Sequence, residues 1–155
     1  MNEFNSTAGS GGDAGASSGD DTDVVMATRV PDADRLDFLP TFFGTRLMMR
    51  GEAMVYDWMG QLCADYTGGF WNFWTLSNGG GYLAPSNVDP MKLRVDGNGF
   101  EGEMSADAAG IVATLFTLSQ LSIQTQQDAI GDLFHALREF AGEHAEAALI
   151  FGAID

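Results

Sequence analysis

The chain has 155 residues, enough for one domain with a sizeable core and too few for two. Its 45% apolar share suits a folded protein, and no continuous apolar run approaches the roughly 18 residues of a membrane span. Against 22 acids stand 7 bases, a formal charge of −15 that repels phosphate backbones, so direct nucleic-acid binding is not expected.

Residues 1–30 are mostly Gly, Ser, Ala, Thr and Asp, with hardly an apolar side chain before Val24. Such a segment buries too little surface to offset its ordering entropy, so it is expected to be a disordered tail ahead of a domain at 31–155. Residues 1–37 hold eight acids and two bases, or −6, and residues 38–155 hold fourteen and five, or −9. The first basic residue is Arg29, too late for the charged head of a signal peptide, and a lone Cys63 leaves no internal disulfide. A cytoplasmic location is expected on both counts.

Asp32 to Phe43 predicts a short helical turn broken at Pro40, with Phe42 and Phe43 as apolar anchors. The first full helix is expected from about Gly51 to Cys63, where Val55, Tyr56, Trp58, Met59, Leu62 and Cys63 share a face. Cys63 lies among apolar neighbours, as a small buried hydrophobe would.

Next comes DYTGGFWNFWTLSNGGGYLAP, residues 65–85, with six of the chain's seventeen aromatic residues. Aromatics at this density favour a half-buried strand over 70–76. Ser77 to Gly81 tolerates the positive φ of a reversal, and Tyr82 to Ala84 returns before Pro85. Tyr66, Trp71, Trp74, Asn78 and Tyr82 carry this central hairpin. A second hairpin spans 91–104 about the turn Asp96–Gly99. Symmetric closure sets Val95 against Phe100, Arg94 against Glu101, Lys92 against Glu103 and Met91 against Met104, giving one apolar and one charged face.

Ser105 then caps a helix of about 106–121 whose thin polar face predicts deep burial on the sheet. Thr125 with Asp128 resembles a capping box opening a helix at about 126–142. Ile130, Leu133, Phe134, Leu137, Phe140 and Ala141 form its apolar face, and Asp128, Asp132, His135, Glu139 and Glu143 form a stripe opposite. The helix needs only its apolar side to fold. The carboxylates of Asp128, Asp132, Glu139 and Glu143 therefore have no obvious structural duty and form a candidate partner surface. A last short helix is expected at about 144–154. The fold class that follows is α+β, a single domain with antiparallel hairpins at about 70–85 and 91–104 packed against several helices.

Chemistry is hard to find. Gly79-Gly80-Gly81 turns back into a strand, whereas a phosphate cradle leads into a helix. His135 has Asp132 and Glu139 on its helix face, but one His is thin for zinc. No catalytic, cofactor or metal site is expected.

Three blocks resemble the antirestriction protein family of the KlcA/ArdB type: LCADYTGGFWNFWTLSNGGGYLAP at 62–85, FEGEMSADAAGIVATLFTLSQL at 100–121 and LREFAGEHAEAALIFGAID at 137–155. FLPTFFG at 38–44 is a weaker fourth. Ala145 stands where the family commonly has proline, and the Gly/Ser/Asp-rich start has no counterpart in the family's core. The resemblance implies a small α+β protein of plasmids and other mobile elements in bacteria. Such a protein relieves type I restriction, protects incoming DNA and has no known catalytic residues. Its implied partner is a type I restriction–modification enzyme, met directly or indirectly. Two other classes compete. One is a small-ligand or peptide-binding module with Tyr66, Trp71 and Trp74 as exposed anchors; the other is an enzyme using Cys63 or His135.

Overall fold

The computed structural model describes residues 24–155, and the disorder expected of residues 1–23 lies outside them. That disorder does not extend to residue 30. Ala27–Arg29 forms β1, antiparallel to β2 (Trp71–Leu76), with Thr28 opposite Thr75 and Arg29 opposite Trp74. Val25 and Val30 are buried, and Val30 donates its N–H to the Phe73 carbonyl at 2.8 Å. The two valines supply the apolar anchors, and β1 covers an edge of β2 that would otherwise lie open.

After a turn of 3-10 helix at Asp32–Asp34 the chain enters α1 (Arg35–Phe43), which runs through Pro40 instead of breaking there. Pro40 forfeits the bond its N–H would have made to the Leu36 carbonyl. Phe38, Phe42 and Phe43 hold the helix by burial, with the Phe38 ring stacked between Phe42 at 5.2 Å and Phe73 at 4.9 Å. Helix α2 (Met48–Leu62) begins three residues before the expected start.

Strands β2 and β3 (Gly81–Pro85) form the central hairpin, in a three-stranded sheet of order β1-β2-β3. The second hairpin, β4 (Met91–Val95) with β5 (Phe100–Met104), is a separate two-stranded sheet in the register expected from its symmetric turn. Arg94 reaches both Glu101 at 3.8 Å and Asp96 at 3.5 Å, all of them well exposed, so the pairs contribute only tenths of a kcal/mol.

Helix α3 (Ala106–Thr125) is the axis of the domain, packed by β3, α2, α4 (Asp128–Glu143) and α5 (Ala147–Ile154). Ser105 caps it, its Oγ accepting from the Ala108 N–H at 3.1 Å. Two residues fit α3 to the outer edge of β3. A Cβ on Gly110 would lie 2.4 Å from the Ala84 Cβ, so only glycine permits this approach. Thr114 accepts from the Leu83 N–H at 3.2 Å and donates to its carbonyl at 3.3 Å, satisfying backbone groups that no further strand pairs. By length and composition α3 could cross a membrane, but 67% of its apolar window is buried inside the domain.

The expected capping box at Thr125 does not form. Thr125 instead donates back to the Leu121 carbonyl at 2.7 Å from within α3, whose last residue it is. Gln126 then reverses the chain at φ +57°, and Gln127 precedes α4 without a side-chain cap. The architecture is α+β in one domain.

Candidate functional site

The aromatic run folds inward. Trp71 is only 3% exposed and donates its indole N–H to the Tyr66 hydroxyl at 2.7 Å. Tyr66 and Trp74 are half-buried, and Trp74 lies nearly parallel to Tyr82 at 5.9 Å. The reading of Tyr66, Trp71 and Trp74 as a set of exposed anchors is therefore corrected, because packing against α2 and β3 uses most of their surface. Phe70 is the exposed member, with the Arg35 guanidinium 4.4 Å from its ring centre.

Beneath Tyr82 three parts of the chain meet in a polar junction. The Tyr82 hydroxyl donates to Asp107 Oδ1 at 2.7 Å, and His144 Nε2 lies 2.8 Å from Asp107 Oδ2. The Glu146 backbone N–H points at His144 Nδ1 from 2.9 Å. A backbone N–H only donates, so Nδ1 carries the lone pair and Nε2 carries the proton given to Asp107. Glu146 in turn accepts from the Ser105 N–H at 2.9 Å through Oε1 and from the Ser105 hydroxyl through Oε2. Both imidazole nitrogens and the Ser105 hydroxyl are thus committed. The junction ties β3, the start of α3 and the approach to α5 together.

Burial, then the Asp107 charge, push the Tyr82 hydroxyl well above its ordinary pKa; burial and Glu52 do the same for Tyr56. Above pH ~10 an unfolded tyrosine ionises while Tyr82 in the fold keeps its proton. The unfolded state then binds fewer protons, so stability falls as pH rises. Urea unfolding at pH 9 and pH 11 should show this loss, at most about 1.4 kcal/mol per pH unit from Tyr82. Tyr82→Phe should flatten the slope.

The four carboxylates proposed as a partner surface are all exposed, but two have structural work. Glu139 Oε1 accepts from Asn78 Nδ2 at 2.9 Å, and the same amide donates to the Ala136 carbonyl. Glu143 Oε1 accepts from the Val25 N–H at 3.1 Å. Glu139 so pins the hairpin turn and Glu143 the chain entering β1, which corrects the expectation that the whole stripe is free. Asp128 and Asp132 have no partner among the described residues. The turn itself needs its glycines: Gly79 has φ +91°, and a Cβ on Gly80 would meet Ala136 Cβ at 2.9 Å.

His135 is exposed on α4, Cys63 is buried, and no metal-sized cluster of His, Cys, Asp or Glu occurs among the described residues. The Tyr82–Asp107–His144 junction escaped the reading of the sequence. Its members are 25 and 37 residues apart, with no spacing to mark them. Their one signal was that each falls in a different block of the family resemblance.

Compared with known proteins, residues 64–155 match the family model for antirestriction protein. An antirestriction protein KlcA of Escherichia coli is 59% identical over 137 residues, covering 84% of this chain and 94% of that protein. The uncharacterized protein YafX of E. coli K12 is 40% identical over 134 residues, covering 84% and 88%. A solved structure matches with a TM-score of 0.80 and 56% identity, covering 84% of this chain and 95% of the other. It is described as showing that KlcA and ArdB have a novel fold and antirestriction activity against type I DNA restriction systems in vivo but not in vitro.

Proposed function

This chain belongs to the antirestriction protein family, and from that premise we propose that it relieves type I restriction through contact with another protein, without catalysis. The observation that carries the reading is its likeness, over nearly the whole of the solved chain, to proteins active against type I systems in vivo and not in vitro. Activity confined to the cell supports a partner or process that the purified mixture lacks, so contact with the restriction enzyme is direct or passes through that component. The committed state of His144 and Ser105 and the burial of Cys63 support a non-catalytic role.

Direct mimicry of DNA has weaker support. Duplex DNA presents a charge about every 1.7 Å, whereas carboxylates four residues apart on a helix climb about 6 Å. The acidic face of α4 is too sparse to imitate it.

The test is the plating of unmodified phage on a type I restricting host. Expression of the soluble protein should raise plating efficiency; unchanged plating would overturn the reading.

Within it, Asp128 and Asp132 remain the candidate partner surface of α4. Asp128→Asn with Asp132→Asn removes a like-charge pair at i,i+4 and, with it, the favourable charge of Asp128 in the first turn of α4, so the melting temperature should stay close to the parent's while phage protection falls. Glu139→Ala with Glu143→Ala should instead cost about 1 kcal/mol, by releasing the Asn78 turn and Val25. Full protection by the folded aspartate variant would remove these two residues from the contact.

A further inference from the structure

Beside the polar junction lies an open cleft of about 240 Å³, walled by Trp74, Pro85 and Val88 and lined with polar atoms of Asn72, Asn87 and Asp107. At roughly 30 Å³ per water, it holds the volume of several waters or of one long side chain. We infer that this cleft receives an arginine side chain of the partner protein.

Three features select that chemistry. First, the cleft has a carboxylate and no base in its lining. The Asp107 side chain is 37% exposed, and each of its oxygens takes one internal hydrogen bond, from Tyr82 or from His144. A carboxylate oxygen accepts two, so each keeps a site for a guanidinium N–H. Second, Trp74 gives an aromatic wall, and indole is the best cation–π surface. A guanidinium is flat and weakly hydrated, so it stacks on indole where an ammonium does not. Third, the side-chain amides of Asn72 and Asn87 have no partner among the described residues, leaving their oxygens as further acceptors. Arg29 lies across the strand from Trp74 but is ion-paired with Asp32 at 3.8 Å, and it does not line the cleft. The net charge of −15 draws cations to the surface at long range.

The inference rests on the reading of this chain as a protein-contact partner, and its test keeps the two apart. Acetyl-Gly-Arg-Gly-amide is titrated into the full chain while the three indole N–H resonances are followed by NMR. The N–H groups of Trp58 and Trp71 are bonded to Gln120 and Tyr66 and serve as internal references, while that of Trp74 has no partner among the described residues. Arginine peptide should shift the Trp74 resonance saturably. The lysine peptide should shift it several-fold less, and the neutral citrulline peptide hardly at all. Val88 is 96% exposed at the rim, so Val88→Lys leaves the core untouched and places a cation over the cleft. It should weaken arginine binding at least tenfold and lower phage protection, whereas Val88→Ser, which keeps this wall neutral, should lose far less of either. An arginine shift no larger than that of citrulline overturns the inference, as does full phage protection by Val88→Lys. Absence of protection by the parent chain, by contrast, counts against the antirestriction reading alone.

Discussion

Alanine at Gly110 should destabilise the protein by about 3 kcal/mol, seen as a lower urea midpoint and, at 37 °C, as lost phage protection. In an exposed helix the same change stabilises by up to about 1 kcal/mol, because alanine is the better helix former. Here the added Cβ would lie 2.4 Å from Ala84 Cβ and 2.5 Å from both the Ala84 Cα and the Leu83 carbonyl oxygen. Two of these are backbone atoms, so no rotamer relieves the clash. Helix α3 must lift from β3, and Thr114 must release Leu83 with it. Gly60, with open space around it on the exposed side of α2, is the control and should become more stable as alanine. A Gly110→Ala variant that melts at or above the parent would refute the close seating of α3 on β3.

Asp107→Leu should cost about 2–5 kcal/mol, because it strands two donors at once. Tyr82 is 1% exposed and His144 largely buried, so neither the hydroxyl nor the imidazole N–H finds water in place of the carboxylate. Adding Tyr82→Phe removes one orphan and should recover part of the loss. The double variant is then more stable than two independent losses would make it. Simple additivity would show that the Tyr82–Asp107 bond holds little.

Local rules foretold the hairpins best. At 91–104 the alternation of apolar and charged residues about a four-residue turn left one register that buries Met91, Leu93, Val95 and Met104 together. The rules failed where a distant contact outweighed a local preference. Pro40 stays helical because three phenylalanines reach the core. Val25 to Val30 is ordered by the bare edge of β2, some 45 residues away, although its preceding neighbours argue for disorder. The acidic face of α4 was visible from its periodicity. That Glu139 and Glu143 hold other parts of the chain was not, since their partners lie 61 and 118 residues away. The Trp74 cleft was hidden for the same reason: strand, loop and helix contribute to it in turn.

The position of β1 at the start of the fold bears on how the protein is made. Synthesis runs at about 5–20 residues per second, so β1 leaves the ribosome roughly 2–9 seconds before β2 follows it. The covering strand is therefore already waiting when the aromatic hairpin emerges, and the edge of β2 is never without a mate during translation. The Val25–Glu143 bond closes much later, once α4 is complete. A circular permutant that moved residues 24–30 to the end of the chain would invert this order. Its sticky edge would stay bare until synthesis finished, and the permutant should aggregate as it is made even if its finished fold were equally stable.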